Sequence, residues 1–107
     1  MRRGEVWTVS DPGYSGKPCP AVIIQDDRFD ATQSLTVCVF TSDETDAPLF
    51  RIPVNPSEGN GLRNASRLMV DKITTIPKER LGERIGRLDD ADEVHLNRAI
   101  MVFLGLA

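Results

Sequence analysis

Most of this chain is patterned as short β-type runs, some alternating at a period of two and some continuously apolar, separated by turn-forming residues. In "EVWTVS" (residues 5–10) Val6 and Thr8 alternate with Trp7 and Val9 before the pattern breaks at "DPGYSGKP". "AVIIQ" (21–25) is a continuous apolar run, as expected of a strand buried on both faces. "SLTVCVFT" (34–41) sets Leu35, Val37 and Val39 against Thr36, Cys38 and Phe40. "LFRIPV" (49–54) contains Pro53, which has no N–H for a ladder and so points to an edge strand or a strand's end. "SRLMVDKITTI" (66–76) reads as the longest strand and "ERIGRL" (83–88) as the last. "SDETDAP" and "NPSEGNGLRN" supply turn chemistry between them. Strands this short and evenly spaced predict a mainly β fold, a small barrel or sandwich, rather than βαβ units.

Towards the C-terminus the period changes. Leu96, Ala99, Ile100 and Phe103 fall on one face at helical spacing. Acidic residues open this segment, where they face the positive end of a helix, and Asp90 and Glu93 have capping-box spacing. Gly105 is placed to stop it. No repeat, low-complexity tract or linker interrupts the pattern, so residues 1–107 are read as a single domain with a C-terminal helix.

Composition narrows the function classes. A chain that is 40% hydrophobic and 27% charged is ordinary for a soluble globular domain. No apolar run reaches membrane-spanning length and "MRRGEVW" lacks a signal-peptide core, so no membrane association and a cytoplasmic location are expected. Cys19 and Cys38 do not make a disulfide framework, and with His95 they are too few for a zinc site, so no metal is expected. The net charge is −3, but residues 1–88 hold 12 basic and 12 acidic residues. The acidic excess therefore lies in the helix segment, and a neutral body leaves a nucleic-acid groove open.

The residues alone show no self-sufficient catalytic motif. His95 lies inside the predicted helix without a partner motif, and Gly59 and Gly61 miss the spacing of a phosphate loop. What remains is polar residues at strand ends: Thr41 and Ser42, then Ser66, then Asp71 and Lys72, with Lys17 and Cys19 in "GKPCP". Each alone reads as turn or edge chemistry; together they form a candidate site.

The blocks "MRRGEVWTV", "GKPCPAVIIQDDRFD", "VCVFTSD", "NGLRNASRLMVDKITTI" and "LGERIGRLDDADEVHLNRAI", in this order and end to end, resemble the MazF/PemK family of toxin endoribonucleases from type II toxin–antitoxin pairs. The resemblance implies a small SH3-like, partly open β-barrel of the CcdB/PemK kind with a C-terminal helix, normally a homodimer. It implies cleavage of single-stranded RNA without metal or cofactor, by 2′-hydroxyl attack on the adjacent phosphate, and a small antitoxin as partner. Carried over, it assigns catalysis to positions 19, 41 and 42 (Cys19, Thr41, Ser42) and RNA contact to Tyr14, Lys17, Ser66, Arg67 and Asp71.

One position departs from the family. Where the resemblance expects an arginine before the "PAVII" strand, this chain has Cys19. A thiol offers no fixed positive charge for a phosphorane, whereas a guanidinium does. Three accounts are open: attenuated activity, which is the expectation adopted; a cation supplied by Lys17; or participation of the thiol itself. Two other functions fit the same sequence: a catalytically silent antitoxin-binding homologue, and a gyrase inhibitor like CcdB. The latter relies on a tryptophan near the C-terminus, and the single Trp here is at position 7.

Overall fold

The computed structural model describes residues 1–10 and 17–107. Among the described residues seven strands are formed: β1 Glu5–Val9, β2 Cys19–Ile23, β3 Ser34–Thr41, β4 Arg51–Val54, β5 Ser66–Met69, β6 Thr74–Pro77 and β7 Leu81–Arg87. The helix α1, Asp90–Phe103, follows directly. All pairings are antiparallel, in the order β4-β5-β3-β2-β1-β7, with β6 also on β3. β4 and β7 are the free ends of this order, so the barrel is open between them. Pro53 lies in edge strand β4, where a missing N–H costs the ladder least.

The period-two pattern becomes two cores, one on each face of the sheet. Val6, Val22, Cys38 and Phe40 point to one side, with Ile52, Val54, Leu68 and Val70. Val9, Ala21, Ile23, Leu35 and Val37 point to the other, with Ile76. Ala21, Val22 and Ile23 are each at most 1% exposed, so β2 is buried on both faces as its apolar run requires. Helix α1 closes the first core with Leu96 and Ala99.

The segment read as one long strand is two. Leu68 pairs with Phe40 on β3, whereas Ile76 pairs with Leu35, and the three residues Val70–Lys72 between them form a 3₁₀ turn. The turn absorbs a register shift along one edge of β3. The hydrophobic pattern cannot reveal it, because Val70 stays buried within the turn. The strand before this segment starts later than its apolar run suggests: β4 begins at Arg51, and Leu49 is exposed in the preceding turn.

The helix cap is one residue earlier than its spacing suggests. Asp89, not Asp90, is the N-cap and accepts a hydrogen bond from the Asp92 amide at 2.8 Å. Glu93 turns away from the cap to meet Arg87 at 3.4 Å and Arg3 at 3.7 Å. At the other end Gly105 adopts φ 74°, and the amides of Gly105 and Leu106 bond to the carbonyls of Val102 and Met101. This is the Schellman closure that a glycine at this position permits.

Candidate active site

Strand ends, not strand centres, build the site. β2 begins at Cys19, opposite Val9 on β1. β3 runs out at Thr41, whose register partner on β5 is Arg67, the neighbour of Ser66. These ends meet around a groove of about 630 Å³ lined by Cys19, Phe40, Thr41, Ser42 and Ser66 together with Thr8, Arg63, Asn64, Glu83 and Ile85. Pro18, Pro20, Gly61 and Leu62 complete its walls. A smaller groove of about 220 Å³ shares Thr41, Ser42 and Ser66, and continues past Asp43, Glu44, Asn55 and Arg67. The three hydroxyls thus form a saddle between two depressions.

Local hydrogen bonds orient these groups. The Thr41 hydroxyl accepts from the Asp43 amide at 3.1 Å, fixing its rotamer at the strand's end. The Ser66 hydroxyl donates to the Asn64 carbonyl at 3.0 Å. Thr8 Oγ1 accepts from the Glu83 amide at 2.8 Å, which ties β1 to β7 at an irregular register. The Cys19 thiol is half-buried and lies 3.8 Å from the Lys17 carbonyl. Phe40, Leu62 and Ile85 supply an apolar floor of the kind on which a base or ribose can pack.

The expected site residues do not all gather here. Cys19, Thr41, Ser42 and Ser66 share the larger groove, although they are scattered in sequence. Arg67 lines only the smaller one and donates to the Asp43 carbonyl at 3.1 Å. Lys17 borders neither. Asp71 also borders neither, because its carboxylate is held by Arg51 on β4, and this charge-assisted pair keeps its pKa below the usual carboxylate range. Tyr14 lies outside the described residues. Cys38 is fully buried, and desolvation, with the nearby Asp71 charge, pushes its thiol up to about 12. It has no part in groove chemistry. His95 is exposed on the helix.

A model of the PemK-like, MazF-like toxins of type II toxin–antitoxin systems matches residues 2–104. The chain belongs to this PemK/MazF family. Among family members, it is 54% identical to a probable endoribonuclease MazF of Mycolicibacterium smegmatis, over 100% of this chain and 99% of that one. It is 31% identical to endoribonuclease MazF9 of Mycobacterium tuberculosis, over 99% and 98% of the two chains. Its fold matches a mycobacterial endoribonuclease solved in complex with its cognate antitoxin, with a TM-score of 0.83, 26% identity and coverage of 100% and 97%. The PemK/MazF assignment accounts for the open seven-stranded sheet and its single helix.

Four polar groove residues were not among the expected site residues: Thr8, Arg63, Asn64 and Glu83. Thr8 and Glu83 sit on strands read only for their apolar pattern, and their bond across β1 and β7 has no local signal. Arg63 and Asn64 belong to "NGLRN", whose glycine and asparagines mark a loop without saying what the loop faces.

Proposed function

We propose that this chain is the toxin of a type II toxin–antitoxin pair, a metal-independent endoribonuclease that cleaves single-stranded RNA in the larger groove. The observation that carries this reading is the meeting of Cys19, Thr41, Ser42 and Ser66 at strand ends in one concavity of a PemK/MazF chain. RNA would cross the hydroxyl saddle, with nucleotides on either side in the two depressions. The 2′-oxygen forms a bond to phosphorus as the bond to the 5′-oxygen breaks. One proton leaves the 2′-hydroxyl and one is taken up by the 5′-oxygen, giving a cyclic phosphate and a 5′-hydroxyl. Thr41 and Ser42 donate hydrogen bonds to the non-bridging oxygens as charge develops there.

The same groove is the surface an antitoxin would cover. One of the structures it resembles is an endoribonuclease with its cognate antitoxin, and an extended acidic segment suits a groove shaped for a polyanion. Among the described residues no helix is long and apolar enough to cross a membrane, and the reading places the protein in the cytoplasm with its RNA substrate. The working form is a homodimer. A silent antitoxin-binding role and gyrase inhibition are not favoured, since the relatives named above are endoribonucleases.

Incubation of the purified protein with a long RNA in EDTA tests the reading. Fragments ending in a cyclic phosphate are expected, and Thr41→Ala should slow their formation by about tenfold or more. Intact RNA after prolonged incubation, with antitoxin binding retained, would instead support the silent homologue.

A further inference from the structure

A groove that stabilises a phosphorane needs positive charge near its hydroxyls, and the thiol of Cys19 supplies none. Among the described residues that line the larger groove, a single side chain is cationic, Arg63, and a single one is anionic, Glu83. Arg63 forms no ion pair with any described carboxylate. Arg51, Arg84 and Arg87, by contrast, are each held by one. Its guanidinium is therefore available to an incoming anion.

The loop that presents it is built as a rigid mount. Asn60 is 3% exposed, and its Oδ1 accepts from the Ser57 and Leu62 amides while its Nδ2 donates to the Asn55 carbonyl at 2.8 Å. Gly61 takes φ 71° against the Ile85 carbonyl, where a Cβ would collide. Leu62 is buried in the core, and the Arg87 amide bonds to the Gly59 carbonyl. Arg63 thus follows three consecutively anchored residues. Placing a charged group in advance is what makes its contribution to a transition state large.

We propose that Arg63 is the cation that faces the scissile phosphate in this protein. It compensates for the uncharged residue at position 19 and takes the place that Lys17, outside the groove, does not fill. The proposal rests on the ribonuclease reading. Arg63 moves no proton; it neutralises the oxygens of the phosphorane while the 2′-hydroxyl chemistry proceeds as above. Glu83, on β7 in the same lining, repels the phosphate and so biases it towards Arg63.

Single-turnover cleavage of a long RNA in EDTA by the wild type, Arg63→Ala, Arg63→Lys, Cys19→Arg/Arg63→Ala and a charge-loss control, Arg98→Ala, tests it. Arg63→Ala should lower the cleavage rate constant at saturating protein by about a hundredfold or more, with RNA affinity changed much less. Arg63→Lys should keep part of the rate, and Cys19→Arg should restore at least about tenfold in the Arg63→Ala background. Arg98→Ala should match wild type, and Arg63→Ala should keep its melting temperature, since Arg63 is exposed. A wild type that cleaves and an Arg63→Ala variant that cleaves as fast overturn the proposal while leaving the ribonuclease reading standing. Loss confined to RNA affinity also overturns it, by making Arg63 a backbone contact. A wild type that leaves RNA intact removes the ribonuclease reading and the role of Arg63 with it.

Discussion

Arg51 on β4 grips Asp71 with both Nε and Nη2, at 2.8 and 3.1 Å, and so spends on the fold a carboxylate that the sequence offers to RNA. The pair is largely shielded, its side chains 12% and 22% exposed. It ties the edge strand to the 3₁₀ turn that resets the register of β5 and β6 against β3.

The pair makes a pH-dependent contribution to stability. Its hydrogen bonds to Arg51 hold the Asp71 pKa below its ordinary value. The contribution is therefore complete above the unfolded-state value, near 4, and is lost as pH falls through the lower folded-state value. Asp71→Asn should lower stability by about 2 kcal/mol at neutral pH, and the gap to wild type should narrow as the solution is acidified through the lowered folded-state value of Asp71. Urea unfolding at neutral and at acid pH measures it; a gap that does not change would mean that the ion pair contributes nothing net.

The two cysteines should behave oppositely towards a thiol reagent. Cys19 is half-exposed at the groove wall, whereas Cys38 is buried and its thiol is pushed up to about 12. In the folded protein one thiol should react readily and the second only on unfolding. A bulky adduct on Cys19 would occupy the groove and block RNA cleavage. Rapid reaction of both thiols in the native state would show that the core around Cys38 opens.

Gly61→Ala should be costly for its size. The residue has a positive φ and its Cβ would strike the Ile85 carbonyl, so the loop must move or strain. A loss of about 2 kcal/mol or more is expected, and any displacement carries Arg63 away from the groove. Thermal melting and RNA cleavage should therefore fall together. An unchanged melting temperature would show that the loop is not held as described.

The last turn of α1 and the residues after it expose Met101, Val102, Phe103, Leu104 and Leu106. Phe103 also packs against Phe50, ring centroids 6.0 Å apart. In the homodimer proposed above, such an apolar end belongs at the contact between copies. Sedimentation should show a dimer at tens of micromolar, as a rough working range for a specific contact, and Phe103→Glu should weaken it by tenfold or more. A monomeric wild type would refute the assignment.

Much of the fold was legible because burial dictates it locally. The two-residue period of β1 and β3, the continuous apolar run of β2 and the helical period of α1 each reflect which side chains face a core. The 3₁₀ turn at Val70–Lys72 was not legible, since a buried Val70 looks the same in a strand. The resemblance grouped Cys19 with the strand-end hydroxyls, and these four residues do line one groove. That Asp71 is paired with Arg51 was not legible, because Arg51 is 20 residues away and nothing local links them. Arg63 stayed hidden for the converse reason. Its proposed role rests on its having no ion-pair partner among the described residues, and on a loop held by Ile85 and Arg87 of a distant strand.

That β1 is sandwiched between β2 and β7 has a consequence for how the protein comes into being. The second strand to zip onto β1 is the last to be synthesised, and Arg3 must wait for Asn97 and Glu93. On the ribosome, the emerging chain lacks both the β7 wall of the groove and the buttress behind the Arg63 loop. A working groove can form only after β7 has left the exit tunnel, so the nascent chain cannot cut RNA before that strand emerges.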